Sequence, residues 1–278
     1  TGKPYHRSFA CGYFSAFGLS CPTKEQEIKE CMFHVKQAAI IDKKSFTQAL
    51  EQSLMAIDVT LAAKQQAQMA DFYAFLIEAN NKMNLTAITE PEQVAEKHIA
   101  DSLRLLSCLG NVQNIADVGT GAGLPGIPLA IALPETQLVL VESMQKRVSY
   151  LQEVTAFLKL KNVSIVCARA EEAGQNPIYR EKFDVAMARA VAVLPVLCEY
   201  LLPLLKKGGK MLAMKGRRTE EELFLAKKAI TVLGGGIAKH FDYELSGGEN
   251  RSIIMVEKSK TTPKSYPRRV GIPASKPL

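Results

Sequence analysis

The sequence predicts an α/β protein: a doubly wound, mostly parallel sheet that finishes in an antiparallel hairpin and is preceded by a helical cap. Three observations carry this. From residue 112 onward, short apolar runs alternate with amphipathic segments, the rhythm of βαβ units. The last two apolar runs are separated by six residues, too few for a parallel crossover. Before residue 110, apolar positions recur at the spacing of one helix face.

Taken in order, residues 1–31 show neither a helical nor a strand period. Met32 reads as a natural start, and the stretch before it as a non-native or disordered leader. Residues 32–110 form the helical region. Phe46, Leu50, Leu54 and Ile57 share one face, and Met69, Phe72, Phe75 and Leu76 another. The polar run Asn80-Asn81-Lys82-Met83-Asn84 is expected to end the second helix. Thr89-Glu90-Pro91-Glu92 reads as a capping box, with Thr89 as N-cap, for a third helix running to about residue 109. Residues 111–258 form the sheet domain. Its expected strands are 115–118, 138–141, 163–166, 183–187 and 210–214, with helices at 144–159 and 191–205. The hairpin pairs 238–245 with 252–256 around Ser246-Gly247-Gly248-Glu249-Asn250. Residues 259–278, with Pro263, Pro267, Pro273 and Pro277, read as an extended or disordered basic tail.

A chain of 278 residues, 47% hydrophobic, can bury one sizeable core with an accessory subdomain. It contains no apolar run of about 18 residues, so no membrane span is expected. Cys11, Cys21, Cys31, Cys108, Cys167 and Cys198 form no CxxC pair, and the four histidines are scattered. No metal site is expected, and reduced cysteines in a cytoplasmic protein are. The last three cysteines lie in apolar segments and read as core residues. Of the net charge of +7, residues 258–278 carry +6, from Lys258, Lys260, Lys264, Arg268, Arg269 and Lys276 with no acid. A nearly neutral body with a cationic tail points to a polyanionic partner, nucleic acid first, or to a tail that only aids solubility.

The segment with the most chemistry is Asp117-Val118-Gly119-Thr120-Gly121-Ala122-Gly123-Leu124-Pro125-Gly126, a glycine turn between a strand and a helix. Such a turn lets backbone approach a nucleotide-like ligand. It satisfies the dinucleotide fingerprint, and Glu142, ending the second strand, suits a ribose in either an NAD(P) or an S-adenosylmethionine site. Asp117 favours the second, because its carboxylate attracts an ammonium and a sulfonium and repels a pyrophosphate. Pro125 and Pro128 also remove amide donors that a phosphate would need. An NAD(P)-dependent oxidoreductase remains the alternative. Ala170-Glu171-Glu172 follow the third strand, where an adenine would lie; the acids either meet the adenine amino group or sit exposed at a helix start. Arg189 ends the fourth strand, placed for a cofactor carboxylate, a substrate phosphate or a surface salt bridge.

The chain resembles the GidB (RsmG) family of bacterial 16S ribosomal RNA methyltransferases, which make 7-methylguanine. The likeness covers about residues 45–278 and rests on Asn84-Leu85-Thr86-Ala87-Ile88, Lys97-His98-Ile99-Ala100-Asp101-Ser102, the glycine loop through Leu129, Lys146-Arg147, Ala188-Arg189-Ala190, Lys215-Gly216, Asn250-Arg251 and 262–269. The resemblance implies a seven-stranded Rossmann-like class I methyltransferase that binds S-adenosylmethionine at Gly119, Leu124, Ala170, Glu171 and Arg189. The residue reading adds Asp117, Gly121, Gly123 and Glu142 to that site. The implied substrate is one guanine near the decoding centre, in 16S ribosomal RNA or the small subunit. Guanine N7 has an in-plane lone pair and no proton to lose, so positioning suffices. Arg189 and Lys215 are the expected catalytic residues. His98, Arg147, Lys215, Arg251, Arg268 and Arg269 are the expected RNA contacts. A monomer is expected, and a non-catalytic RNA-binding protein is the other alternative.

Overall fold

The computed structural model describes residues 42–216 and 219–278. The leader at 1–31, with Cys11, Cys21 and Cys31, and the start of the helical region at 32–41 lie outside the described residues.

Helix α1 (Lys43–Met55) starts at Asp42, whose carboxylate accepts from the Ser45 amide at 2.9 Å, and buries Phe46, Leu50 and Leu54. Ile57 falls just past its end. Helix α2 (Ala63–Met83) buries Met69, Phe72, Phe75 and Leu76. Phe46 stacks on Tyr73 with ring centroids 4.4 Å apart, which locks α1 to α2. The polar run expected to break α2 lies mostly inside its last turn. The stop is Asn84 in the left-handed conformation (φ 50°), a helix end that asparagine tolerates.

The third helix is not continuous. It consists of α3 (Pro91–Val94), a π-helical turn (Ala95–Ala100), α4 (Asp101–Leu103) and, after a break, α5 (Leu106–Leu109). Nor is Thr89 its cap. Glu90 is the N-cap, at ψ 133°, and makes no side-chain cap bond. Pro91 forces this, because a proline pushes the residue before it out of the helical region, so Glu90 cannot be the first helical residue.

Seven strands form one sheet: β1 (Asn114–Val118), β2 (Gln137–Glu142), β3 (Val163–Cys167), β4 (Phe183–Arg189), β5 (Leu205–Lys215), β6 (Gly235–Glu244) and β7 (Asn250–Lys258). Their order is β3-β2-β1-β4-β5-β7-β6, parallel as far as β5, with β7 antiparallel to both neighbours. Strand order reverses between β1 and β4, and in open α/β sheets ligands bind outside the carboxyl ends at that switch. The connecting helices are α6 (Gly126–Ala132), α7 (Gln145–Phe157), α8 (Ala170–Gln175), α9 (Leu194–Leu201) and α10 (Thr219–Val232). One core joins α1–α7 to one sheet face through residues such as Phe72, Ile99, Ile127 and Leu151. The other joins α8–α10 to the opposite face through Ala173, Leu197 and Ala226. Each large apolar side chain so buried contributes about 1.5–3 kcal/mol. Helix α9 starts later than the apolar pattern suggests, because Val193 is extended and Pro195 sits in the first turn. Helix α10 escaped the sequence reading: its buried face is only Ala226, Ala229 and Ile230 behind Glu220, Glu221 and Glu222.

The expectation of an extended or disordered tail is corrected. The Arg180 guanidinium donates to the Thr262, Pro263 and Tyr266 carbonyls at 2.8, 3.2 and 2.7 Å. Arg268 forks onto the buried Glu199 (2.6–3.1 Å), and α11 (Ile272–Ser275) closes the chain. Lys258 is fully buried, with its ammonium donating to the Leu202 carbonyl and to Thr262. Apart from α11 the tail forms no helix or strand, but its carbonyls find fixed donors, and two of the six cations at 258–278 turn inward. Cys167 is exposed, unlike the core residues Cys108 and Cys198. Among the described residues no helix is long and apolar enough to cross a membrane, and no cluster of His, Cys, Asp and Glu suits a metal ion.

Candidate active site

The glycine loop joins β1 to α6 at the switch point. Gly119, Gly121 and Gly123 all have positive φ (71°, 57° and 86°), which side chains rarely adopt. The Gly119 amide donates to the Val141 carbonyl at 2.8 Å and ties the turn to the end of β2. A Cβ on Gly119 would lie 2.7 Å from Val191, so this crossing of backbone and side chain requires glycine.

Asp117 is completely buried beneath the loop. Its Oδ2 accepts from the Thr120 hydroxyl (2.7 Å) and from the Gly126 amide (2.9 Å). Thus the first amide of α6, a natural donor to a phosphate, already serves a carboxylate. The other oxygen, Oδ1, is buried without a partner. Burial pushes the carboxyl up to about 6, against the hydrogen bonds from Thr120 and Gly126 and the nearby Arg189 charge. An orphaned acceptor beside the loop fits a ligand that brings a donor, as an ammonium does. Glu142, buried at the end of β2, accepts from the amides of Gly121 (3.1 Å) and Met144 (2.9 Å). Its position at the strand end suits a ribose. Arg147 on α7 stands 3.9 Å from Glu142, over the loop and half-exposed.

Beyond β3, Ala170 begins α8. Glu172 is exposed and accepts from the Arg169 amide at 2.8 Å, closing the helix start. Glu171 is not the exposed helix-start acid of the sequence reading: it is buried, and its Oε1 accepts from the Gly271 amide of the tail at 2.9 Å. That bond holds the side chain against the tail.

A second cavity, about 320 Å³, opens at the carboxyl ends of β4 and β5. Arg189 ends β4 and Lys215 ends β5; the π-helical turn and α4 supply Lys97, His98 and Asp101, and the hairpin supplies Tyr243 and Arg251. Arg189 donates to Asp101 (3.3 Å) and to the Lys97 carbonyl (3.1 Å). Tyr243 donates to the other Asp101 oxygen at 2.7 Å, and burial with the Asp101 charge raises its phenol. Lys215 pairs with Glu222 at 2.8 Å and donates to the Ala192 carbonyl at 2.9 Å. His98 bonds the Thr86 hydroxyl at 2.7 Å, and no His98–Asp101 bond forms. Burial and then the Arg189 charge hold the imidazole down at about 4, so it is neutral at physiological pH.

The structure therefore brings together five expected residues, Arg189, Lys215, Arg251, His98 and Asp101, in one cavity beside the loop. It separates Arg147, above the loop, and Arg268 and Arg269, in the tail. Of the expected RNA contacts outside the Lys215–Arg251 pair, His98 is a buried wall of the cavity, Arg268 is paired with Glu199, and Arg269 is exposed. Tyr243 and Glu222 line the cavity but were not singled out, since each comes from an element whose pattern predicts only a hairpin or an exposed helix turn.

Residues 65–252 match the model of the GidB family, described as rRNA small subunit methyltransferase G. The chain belongs to this family. A GidB relative, the ribosomal RNA small subunit methyltransferase G of Desulfitobacterium hafniense, is 49% identical over 223 residues, spanning 80% of this chain and 93% of its own. That of Leuconostoc citreum is 47% identical over 224 residues, spanning 79% and 94%. An O-methyltransferase from Bacillus cereus, solved in complex with SAH, shares the fold at a TM-score of 0.51 and 17% identity, over 76% of this chain and 97% of that chain. The α/β, Rossmann-like class I methyltransferase fold expected from the GidB resemblance is the fold observed.

Proposed function

We propose that this chain transfers a methyl group from S-adenosylmethionine to N7 of one guanine of 16S ribosomal RNA near the decoding centre, as a cytoplasmic monomer. The observation that carries this is the juxtaposition of two sites at the carboxyl ends of the parallel strands. A loop with an unpartnered buried carboxylate stands beside a cavity lined by Lys97, Arg189, Lys215 and Arg251. The first suits a cationic cofactor and the second a polyanionic substrate. The GidB match spans both, and its relatives are named as ribosomal RNA methyltransferases.

Asp117 takes the ammonium of the cofactor, Gly119, Gly121, Gly123 and Leu124 pass along it, Glu142 takes the ribose hydroxyls, and Ala170-Glu171 border the adenine. When bound, the cofactor supplies an electrophilic methyl on a sulfonium. The chain's own contribution is alignment. Arg189, fixed by Asp101 and the Lys97 carbonyl, and Lys215, fixed by Glu222, hold the guanine and its phosphates in line with that methyl. No side chain has to remove a proton, which accords with a cavity histidine held down at about 4, where it is a weak base.

Labelled methyl transfer to small-subunit RNA lacking the modification, with 7-methylguanine mapped in the product, tests the reading. Transfer to a single guanine, reduced at least tenfold by Arg189→Ala or Lys215→Ala, is expected. Transfer to another base or atom, or none, would overturn it.

A further inference from the structure

Glu249 sits in the five-residue turn of the β6–β7 hairpin, at the rim of the cavity. Its carboxylate bridges two cations that line the cavity: one oxygen meets the Lys97 ammonium, and the other accepts from Arg251 Nη2 at 2.7 Å. Lys97 and Arg251 come from opposite walls, the π-helical turn and β7, so Glu249 is the only anion joining these two side chains among the described residues. The fit to Arg251 is incomplete. Nε and Nη2 form one edge of the guanidinium, the edge that accepts a phosphate or carboxylate bidentately. Glu249 uses Nη2 alone, and Nε is buried without any acceptor. A tetrahedral oxyanion on that edge would satisfy both donors and still reach Lys97. The Glu249 side chain is about 40% exposed and sits beside Gly247 and Gly248, so it can leave without disturbing a packed core.

We propose that Lys97 and Arg251 form a binding site for one backbone phosphate of the RNA substrate, and that Glu249 occupies it as an internal stand-in until the RNA displaces it. The inference rests on the RNA-substrate reading above and adds to it a phosphate position, a residue outside the expected RNA contacts (Lys97) and a gate. A gate of this kind makes weak, isolated anions compete poorly, while a polyanion held by other contacts at the same time can displace the carboxylate.

The test measures binding of small-subunit RNA against salt for wild type, Glu249→Gln, Lys97→Ala and the double variant. Glu244→Gln serves as a control that removes the same charge from an exposed position on the same hairpin. Glu249→Gln should bind several-fold tighter than both wild type and Glu244→Gln, with a log–log salt slope close to that of wild type, because both complexes make the same phosphate contact. Lys97→Ala should weaken binding and remove most of that gain in the double variant. Equal gains in Glu249→Gln and Glu244→Gln, or a full gain without Lys97, would overturn the site. A second arm needs no RNA: the Arg251 Nε–H resonance, assigned with Arg251→Lys, should move on titration with inorganic phosphate at lower concentration in Glu249→Gln than in wild type. Failure of RNA binding with this phosphate response intact counts against the RNA substrate alone. Absence of the phosphate response in a variant that melts like wild type overturns the site itself.

Discussion

Two buried groups at the site titrate in opposite senses. Asp117 has its carboxyl raised by burial from 3.8 to about 6, so its contribution to stability is present in acid and is lost as pH rises through 6. His98 is lowered from 6.5 to about 4, so its contribution is present above 6.5 and is lost as pH falls toward 4. Urea denaturation at pH 7.5 and pH 5 separates them. Relative to wild type, His98→Gln should spare on the order of 2 kcal/mol of the loss on acidification, and Asp117→Asn should forfeit about 1 kcal/mol of compensating gain. In the proposed function the same carboxyl meets the ligand's ammonium. Affinity for adenosylhomocysteine, which carries the ammonium, should fall as pH drops below about 6 because the neutral acid no longer attracts it. Isothermal titration on wild type and Asp117→Asn checks this, with the variant weak and flat across the range. The place of Asp117 at the strand end, before the first glycine, was legible in the sequence. Its orphaned oxygen was not, because a hydrogen-bond vacancy exists only once Thr120 and Gly126 have folded around it.

At the scale of elements, strands were read well and helix ends poorly. The central parallel strands β1 and β4 are buried on both faces and announce themselves as apolar runs, and β1, β3 and β4 differ from expectation by at most two residues at either end. The helical pattern at 91–109 hid a π-turn, since one extra residue in a turn barely alters apolar spacing, yet that turn carries Lys97 and His98 into the cavity. The largest misreading was the tail, where charge and proline content suggested a solvated segment. The Arg268–Glu199 pair decides its character: Glu199 is buried, and removing its partner strands a carboxylate. Arg268→Ala should cost about 2–4 kcal/mol in urea denaturation. Arg269→Ala, at an exposed position, should leave stability within about 0.5 kcal/mol of wild type. If the two variants melt alike, Arg268 is a surface charge after all.

For the whole molecule, the distribution of charge matters more than its sum. Of the six tail cations, Lys258 and Arg268 are spent inside the protein, which leaves Lys260, Lys264, Arg269 and Lys276 at the surface. Converting those four to glutamine should lower the magnitude of the salt slope for RNA binding by less than about 3, without unfolding the protein. Deleting residues 259–278 should destabilise it instead, because Arg180 and Glu199 lose their partners; thermal melting distinguishes the two. The docked tail also imposes an order of assembly. A chain emerges from the ribosome amino end first, and domains acquire structure as they appear. The Gly271 amide that secures Glu171 is made a hundred positions after the residue it holds. Glu171 is therefore secured only after the stretch through Gly271 has been made, so a chain cut short before Gly271 lacks that bond.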